Sequence, residues 1–136
     1  MRNMKLTVFS GLALLFGCEH SELPVQSGMT IVFGTVTIDQ QPLDYGQISF
    51  IPSDPGDHHV PDGEFIAAIE AGRFEIEILP GTHRVEIVKN EGLDPDVPGQ
   101  IRQVLPERYN VDSELVATVE MNPSTELAFA LASSNQ

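Results

Sequence analysis

The sequence predicts an all-β fold, a seven-stranded antiparallel β-sandwich. Two observations predict it. From residue 29 onward, apolar residues recur at every second position in seven short runs, the spacing of strands with one face against a core. Pro, Gly and Asn turn signals punctuate the runs, and no stretch keeps a helical period for more than a turn or two. A strand with one apolar face needs a second layer to cover it, and two packed sheets supply that layer.

The runs follow one another closely. Val32, Gly34, Val36 and Ile38 alternate with Phe33, Thr35, Thr37 and Asp39, and Asp39-Gln40-Gln41-Pro42 breaks the pattern as a turn. Gln47–Ile51 puts Ile48 and Phe50 on one face and ends at Pro52. Glu64–Ile69 makes a third strand and Arg73–Ile78 a fourth, in which Phe74, Ile76 and Ile78 point inward while Arg73, Glu75 and Glu77 face water. Pro80-Gly81 turns the chain into Thr82–Val88. A sixth run sets Leu115, Ala117, Val119 and Met121 on one face. After Asn122-Pro123, Leu127, Phe129 and Leu131 close the series.

Length and charge bound what such a chain does. Its 136 residues allow a single domain, and 41% hydrophobic residues are too many for a disordered chain even at a net charge of −13. Twenty Asp and Glu against seven Lys and Arg argue against nucleic acid as a partner, since phosphate binding needs clustered positive charge. One Cys excludes an intrachain disulfide and the Cys-rich zinc sites.

The N-terminus reads as an address. Arg2 and Lys5 precede the apolar stretch Leu6–Phe16, then Gly17 and Cys18, and no acid occurs before Glu19. A short basic region, an apolar run and a small residue make a secretory signal over residues 1–17. The apolar run, as a helix, spans only about 16 Å, too short for a hydrocarbon core of ~30 Å. Residues 18–28 read as a polar tether, 29–132 as the domain and 133–136 as a tail.

Leu15-Phe16-Gly17-Cys18 resembles a bacterial lipobox, and the chain's single Cys stands directly after the apolar run. The resemblance implies diacylglycerol on the Cys18 thiol, an acyl group such as palmitate on the new amine, and a lipoprotein held at a membrane without spanning it. Two or more acyl chains anchor stably. Removal of residues 1–17 takes away two basic residues and no acid. The acyl chains rather than the protein surface must then hold the domain against anionic lipid.

The body resembles the carboxypeptidase regulatory-like domains of the transthyretin-like (prealbumin-like) β-sandwich group over residues 30–132. The markers are Gly34–Asp39, Gln41-Pro42-Leu43, Gly46–Pro52, Gly72-Arg73-Phe74 and Leu79–Val85, with His83 where many relatives carry Tyr. Leu105–Asn110 is similar to the Pro-x-x-Tyr segment of small lipoproteins with this domain. The resemblance implies a fold and no particular function. Hydrolases of the group carry a C-terminal Tyr-Arg-Gly-Ser signature, whereas this chain ends Leu131–Gln136.

Four places invite chemistry. His58 and His59, with Asp57 and Asp62, offer imidazole and carboxylate to a divalent cation. Adjacent side chains on an extended chain diverge, so a solvated acidic loop is the simpler reading and no metal is assigned. His83 shares a face with Val85 and Ile87 and is expected as a core side chain with one hydrogen-bond partner. The exposed residues Arg73, Glu75, Glu77, Arg84 and Glu86 suit cross-strand ion pairs. The connection from Lys89 to Asp112 is rich in Pro and Gly. Arg108 and Tyr109 near its end either present a contact surface or, the simpler reading, pack with Leu105 over a sheet edge.

No Gly-x-Ser-x-Gly elbow and no free Cys after processing offers a nucleophile. The expectation is therefore a non-catalytic, cofactor-free, extracytoplasmic module, tethered through Cys18 to a bacterial membrane. The loop that includes His58 and His59, and the one with Arg108 and Tyr109, are its candidate contacts with envelope proteins or glycans. The alternative is a glycan- or divalent-cation-binding domain in the same compartment.

Overall fold

A computed structural model describes residues 28–53 and 63–134. The proposed signal, tether and Cys18, the loop with Asp57, His58, His59 and Asp62, and the last two residues lie outside the described residues. The elements are β1 (Thr30–Ile38), β2 (Gln41–Pro42), β3 (Tyr45–Pro52), β4 (Phe65–Glu70), β5 (Arg73–Ile78), β6 (Gly81–Val88), β7 (Asn90–Gly92) and β8 (Ile101–Gln103). A 3-10 turn (Glu107–Tyr109), β9 (Val116–Val119) and β10 (Ser124–Leu131) follow. The fold is all-β.

The seven strands read from alternation are β1, β3, β4, β5, β6, β9 and β10. Three more are present among the described residues, which corrects the count. Each of β2, β7 and β8 is two or three residues long, too short for a period of two to show. Met121 is a second correction. The apolar alternation continues past the end of β9 at Val119, and Met121 stands in the following turn, 82% exposed.

One strongly curled sheet runs β10-β1-β5-β4-β3-β6-β9, with β2 also on β1, and β7 and β8 form a separate hairpin. Most pairings are antiparallel. β1 and β10 pair parallel, from Ile31↔Ser124 to Ile38↔Leu131, which corrects the expectation of a wholly antiparallel arrangement. Side chains alternate identically in both kinds of ladder, so direction is invisible in the pattern. Gly34 makes the close approach of these strands workable. A Cβ there would strike the Leu127 carbonyl and stand 3.1 Å from a Phe74 ring carbon.

Two tight turns set the curl. Asp39 and Gln40 (φ 49° and 68°) join β1 to β2, and Ala71 and Gly72 (φ 48° and 74°) join β4 to β5. Consecutive positive φ values are the mark of type I′ hairpins, whose twist suits the flanking strands. The β4–β5 turn is bound to its surroundings. Ala71 N donates to Asp44 O (2.7 Å), Gly72 N to Leu43 O (2.7 Å), and Val36 N to Gly72 O (2.8 Å).

The core lies inside the curl. Val32, Val36, Phe74 and Ile78 come from the β10-β1-β5 side. Ile48, Phe50, Ile69, Val85, Ile87 and Val119 come from the β4-β3-β6-β9 side. Phe50 and Phe74 meet across it with ring centroids 5.9 Å apart, and Phe74 meets Phe129 at 6.2 Å. Burying each such aliphatic or aromatic side chain contributes about 1.5–3 kcal/mol. Phe74, Ile76 and Ile78 face this core and Arg73, Glu75 and Glu77 face water, as the alternation predicts. Among the described residues no helix is long and apolar enough to cross a membrane.

Candidate functional site

Among the described residues, a cleft of about 650 Å³ is lined by β4, β5, β1 and Glu126 of β10. β4 pairs with β3 from Phe65 to Glu70, and β5 pairs with β1 from Arg73 to Ile78. β4 and β5, neighbours in the sheet, share one ladder pair, Glu70↔Arg73, beside the turn. Beyond that pair the two strands stay side by side without further ladder pairs.

The sequence sets the lining of the cleft. Ala67 and Phe74, both nearly buried, form its floor. Ile66 (49% exposed) and Phe33 (37% exposed) add apolar surface from β4 and β1. Glu70, Glu75 and Glu126 bring three carboxylates against the one guanidinium of Arg73. The signal for this cleft lies in β4, whose Phe-Ile-Ala-Ala-Ile run is apolar on both faces, unlike the charged outer face of β5.

Glu70 and Arg73 flank a two-residue turn and so form a hydrogen-bonded pair. Backbone direction repeats every second residue, which turns the N–H and C=O of Ala68 and Glu75 toward the facing strand. The cleft offers small side chains over an aromatic floor and a negative rim.

Arg108 and Tyr109 sit elsewhere and hold the end of β10. Arg108 Nη2 donates to the carbonyls of Ala132 (2.6 Å) and Ser134 (2.8 Å), with its guanidinium over the Tyr109 ring at 4.7 Å. Tyr109 Oη accepts from Ala132 N at 3.0 Å, while its ring and Leu105 pack against the core. Asp39 clasps the same segment by accepting from Ser133 N at 3.0 Å. Hydrogen bonds from the Ser133 side chain and then its backbone N–H hold the Asp39 carboxyl below the usual range.

His83 is 1% exposed on the inner face of β6, beside Val85 and Ile87. The Gly81 carbonyl, 3.2 Å from Nδ1, can only accept, so Nδ1 carries the proton. Among the described residues Nε2 has no partner, and the ring lies edge-on to Phe50 (6.3 Å) and Phe65 (6.2 Å). Burial pushes its pKa below the ordinary histidine value, with the Gly81 bond opposing the shift. It is a neutral core side chain.

Of the residues expected to pair across strands, Arg84 and Glu86 pair along one strand instead. Arg84 meets Glu86, two positions along β6, at 2.7 Å. Lys89, its side chain mostly buried, reaches Asp44 (2.9 Å) and Glu91 (3.2 Å) and lies 4.6 Å from the Tyr45 ring centre. The Lys89 bond lowers the Asp44 pKa, and Asp44 chiefly raises that of Lys89. Among the described residues no group of three or more His, Cys, Asp and Glu is placed to hold a metal ion.

Comparison with known proteins gives little beyond this geometry. No protein-family model matches the chain, and no curated protein matches it. Among solved structures the chain is similar to a leucine-rich repeat protein from Bacteroides thetaiotaomicron, with 15% identity and a TM-score of 0.45 over 77% of this chain. The match spans 12% of that larger chain.

Proposed function

We propose that the chain is a non-catalytic lipoprotein of a bacterial envelope, a carboxypeptidase regulatory-like β-sandwich that serves as a structural or protein-interaction module outside the cytoplasm. The observation that carries the reading is the single Cys, directly after a basic-then-apolar leader. Acylation of Cys18 tethers the domain, and the tether at 18–28 lifts a strongly acidic body off the bilayer. A core closed between two sides of the curl, joined by one pair at Glu70↔Arg73, supports the sandwich reading. The cleft at that junction supports an interaction module.

Mass spectrometry of the native protein tests the anchor. The expected N-terminus is an acylated Cys18 with residues 1–17 absent, and Cys18→Ser is expected to leave the detergent phase. An intact Met1 with a free thiol overturns the reading. Crosslinking in intact envelopes tests the interaction role, and a domain that captures nothing there overturns it.

A further inference from the structure

We propose that the free edge of β10 takes an extended segment of a partner protein, apolar on one face and basic on the other, as an added strand. This deepens the interaction-module reading and rests on it, though not on the lipid anchor. β10 stands at the end of the sheet path, paired to β1 alone. Two bonds show which of its backbone groups are free. Ile31 N donates to Pro123 O at 3.4 Å and Asp39 N to Leu131 O at 3.0 Å, so the odd-numbered carbonyls point at β1. Backbone direction in a strand repeats every second residue, and each residue turns its N–H and C=O to the same side. Ser124, Glu126, Ala128 and Ala130 therefore present theirs away from the sheet, and among the described residues nothing pairs with them.

This edge is closed at one end only. Ala132 is next in the same outward series, and its N–H is taken by Tyr109 Oη (3.0 Å) and its carbonyl by Arg108 Nη2 (2.6 Å). The loop that packs over the sheet edge thus caps the last position and leaves the preceding ones open. The usual protections of an edge are missing from it. β10 runs for eight residues, Ser-Thr-Glu-Leu-Ala-Phe-Ala-Leu, with no Pro, Lys or Gly. On its inner row Leu127 and Phe129 pack against the core yet are only half-buried, so apolar surface lies uncovered along the edge.

Main-chain groups at a sheet edge supply affinity for an incoming strand, and alternate side chains supply specificity. An added strand sets its own side chains beside the two rows of β10. Val, Leu or Ile on the inner row extends the cover over Leu127 and Phe129. On the outer row stands Glu126, level with Phe33 of β1 and Glu75 of β5, where Lys or Arg meets opposite charge. The net charge of −13 draws a basic segment in and repels a second copy of this chain. About seven residues match Ser124–Ala130 at ~3.3 Å per residue.

The full-length protein is titrated with a labelled, capped Lys-Val-Lys-Val-Lys-Val-Lys peptide, its Glu-Val and Lys-Ser counterparts, and a backbone N-methylated copy of the first. Saturable binding of the Lys-Val peptide alone is expected, with slowed amide exchange at Glu126, Ala128 and Ala130. Ala128→Pro removes an N–H that points away from β1, so it spares the ladder and is expected to abolish binding. Glu126→Lys, on an exposed side chain, is expected to weaken binding about fivefold, and it tests the edge even where Ala128→Pro fails to fold. Absence of saturable binding, equal binding of the N-methylated peptide, or indifference to Glu126→Lys overturns the proposal. A dimer in sedimentation that Ala128→Pro dissolves places a second copy on the edge and overturns it too. Envelope crosslinks that persist in the Ala128→Pro variant overturn the edge but leave the module reading standing. Their absence in the wild type overturns the module reading itself.

Discussion

The connection from Lys89 to Asn110 and the β4–β5 hairpin satisfy their backbones in opposite ways. The connection has little ladder of its own and compensates with side chains. Gln103 Oε1 accepts from Lys89 N and Leu105 N at 3.0 and 2.9 Å, and Gln103 Nε2 donates to Leu105 O at 3.0 Å. Asn110 Nδ2 donates to Pro106 O at 2.9 Å, and Asn110 Oδ1 accepts from Val111 N at 3.0 Å. The hairpin is made of regular strand, yet past Glu70↔Arg73 its two members share no further pair. A segment full of Pro and Gly can thus be closed and a pair of well-formed strands can be open. What decides is where each N–H and C=O finds its partner.

Truncating the apolar anchor of the connection is expected to cost most. Leu105 is 6% exposed in the core, and Leu105→Ala should lower unfolding free energy by about 2–5 kcal/mol in a urea titration. A loss under 1 kcal/mol would show that the connection rides on the core rather than belonging to it. Asn110→Ala should cost about 1–3 kcal/mol, since it strips partners from a buried turn, and Asn110→Asp should recover part by keeping the acceptor for Val111 N.

Acidification loads the core that both regions share. The folded pKa of His83 lies below its unfolded value, so between the two the unfolded chain binds more protons. Stability is therefore expected to fall as pH drops below about 6.5 and to stop falling from this source below the folded value. His83→Gln should flatten that slope between pH 7 and 5, measured by thermal unfolding. An unchanged slope assigns it to other groups. The smallest effect is expected at the open cleft. Ile66→Ala removes a half-exposed side chain from the outer face of β4, and should change stability by no more than about 0.5 kcal/mol. A larger loss means that β4 and β5 lean on one another there.

The same contrast explains what the sequence makes legible. Strand positions are readable because a period of two betrays a half-buried strand. Phe74, Ile76 and Ile78 against Arg73, Glu75 and Glu77 need no structure to be sorted. Pairing is not readable, since alternation carries neither the direction of β10 against β1 nor the single ladder pair between β4 and β5. Arg108 and Tyr109 stood out as amphipathic residues in a loop. Their tie to Ala132 is a contact across 23 or 24 positions that no local pattern encodes. Ile66 was the missed signal, an apolar residue on the wrong face of a strand otherwise easy to place.

The parallel register of β1 and β10 gives the molecule a polarity. Ile31 and Ser124 start side by side, and Ile38 and Leu131 finish side by side, about 23 Å further along at ~3.3 Å per residue. Under the proposed anchor, the end of β1 at Thr30 is the near pole, and the Arg108-clasped residues after Leu131 emerge at the distal one. A reporter fused after residue 134 should stand off from a bilayer by the full height of the domain, so the distance from membrane dye to fusion reads its orientation directly.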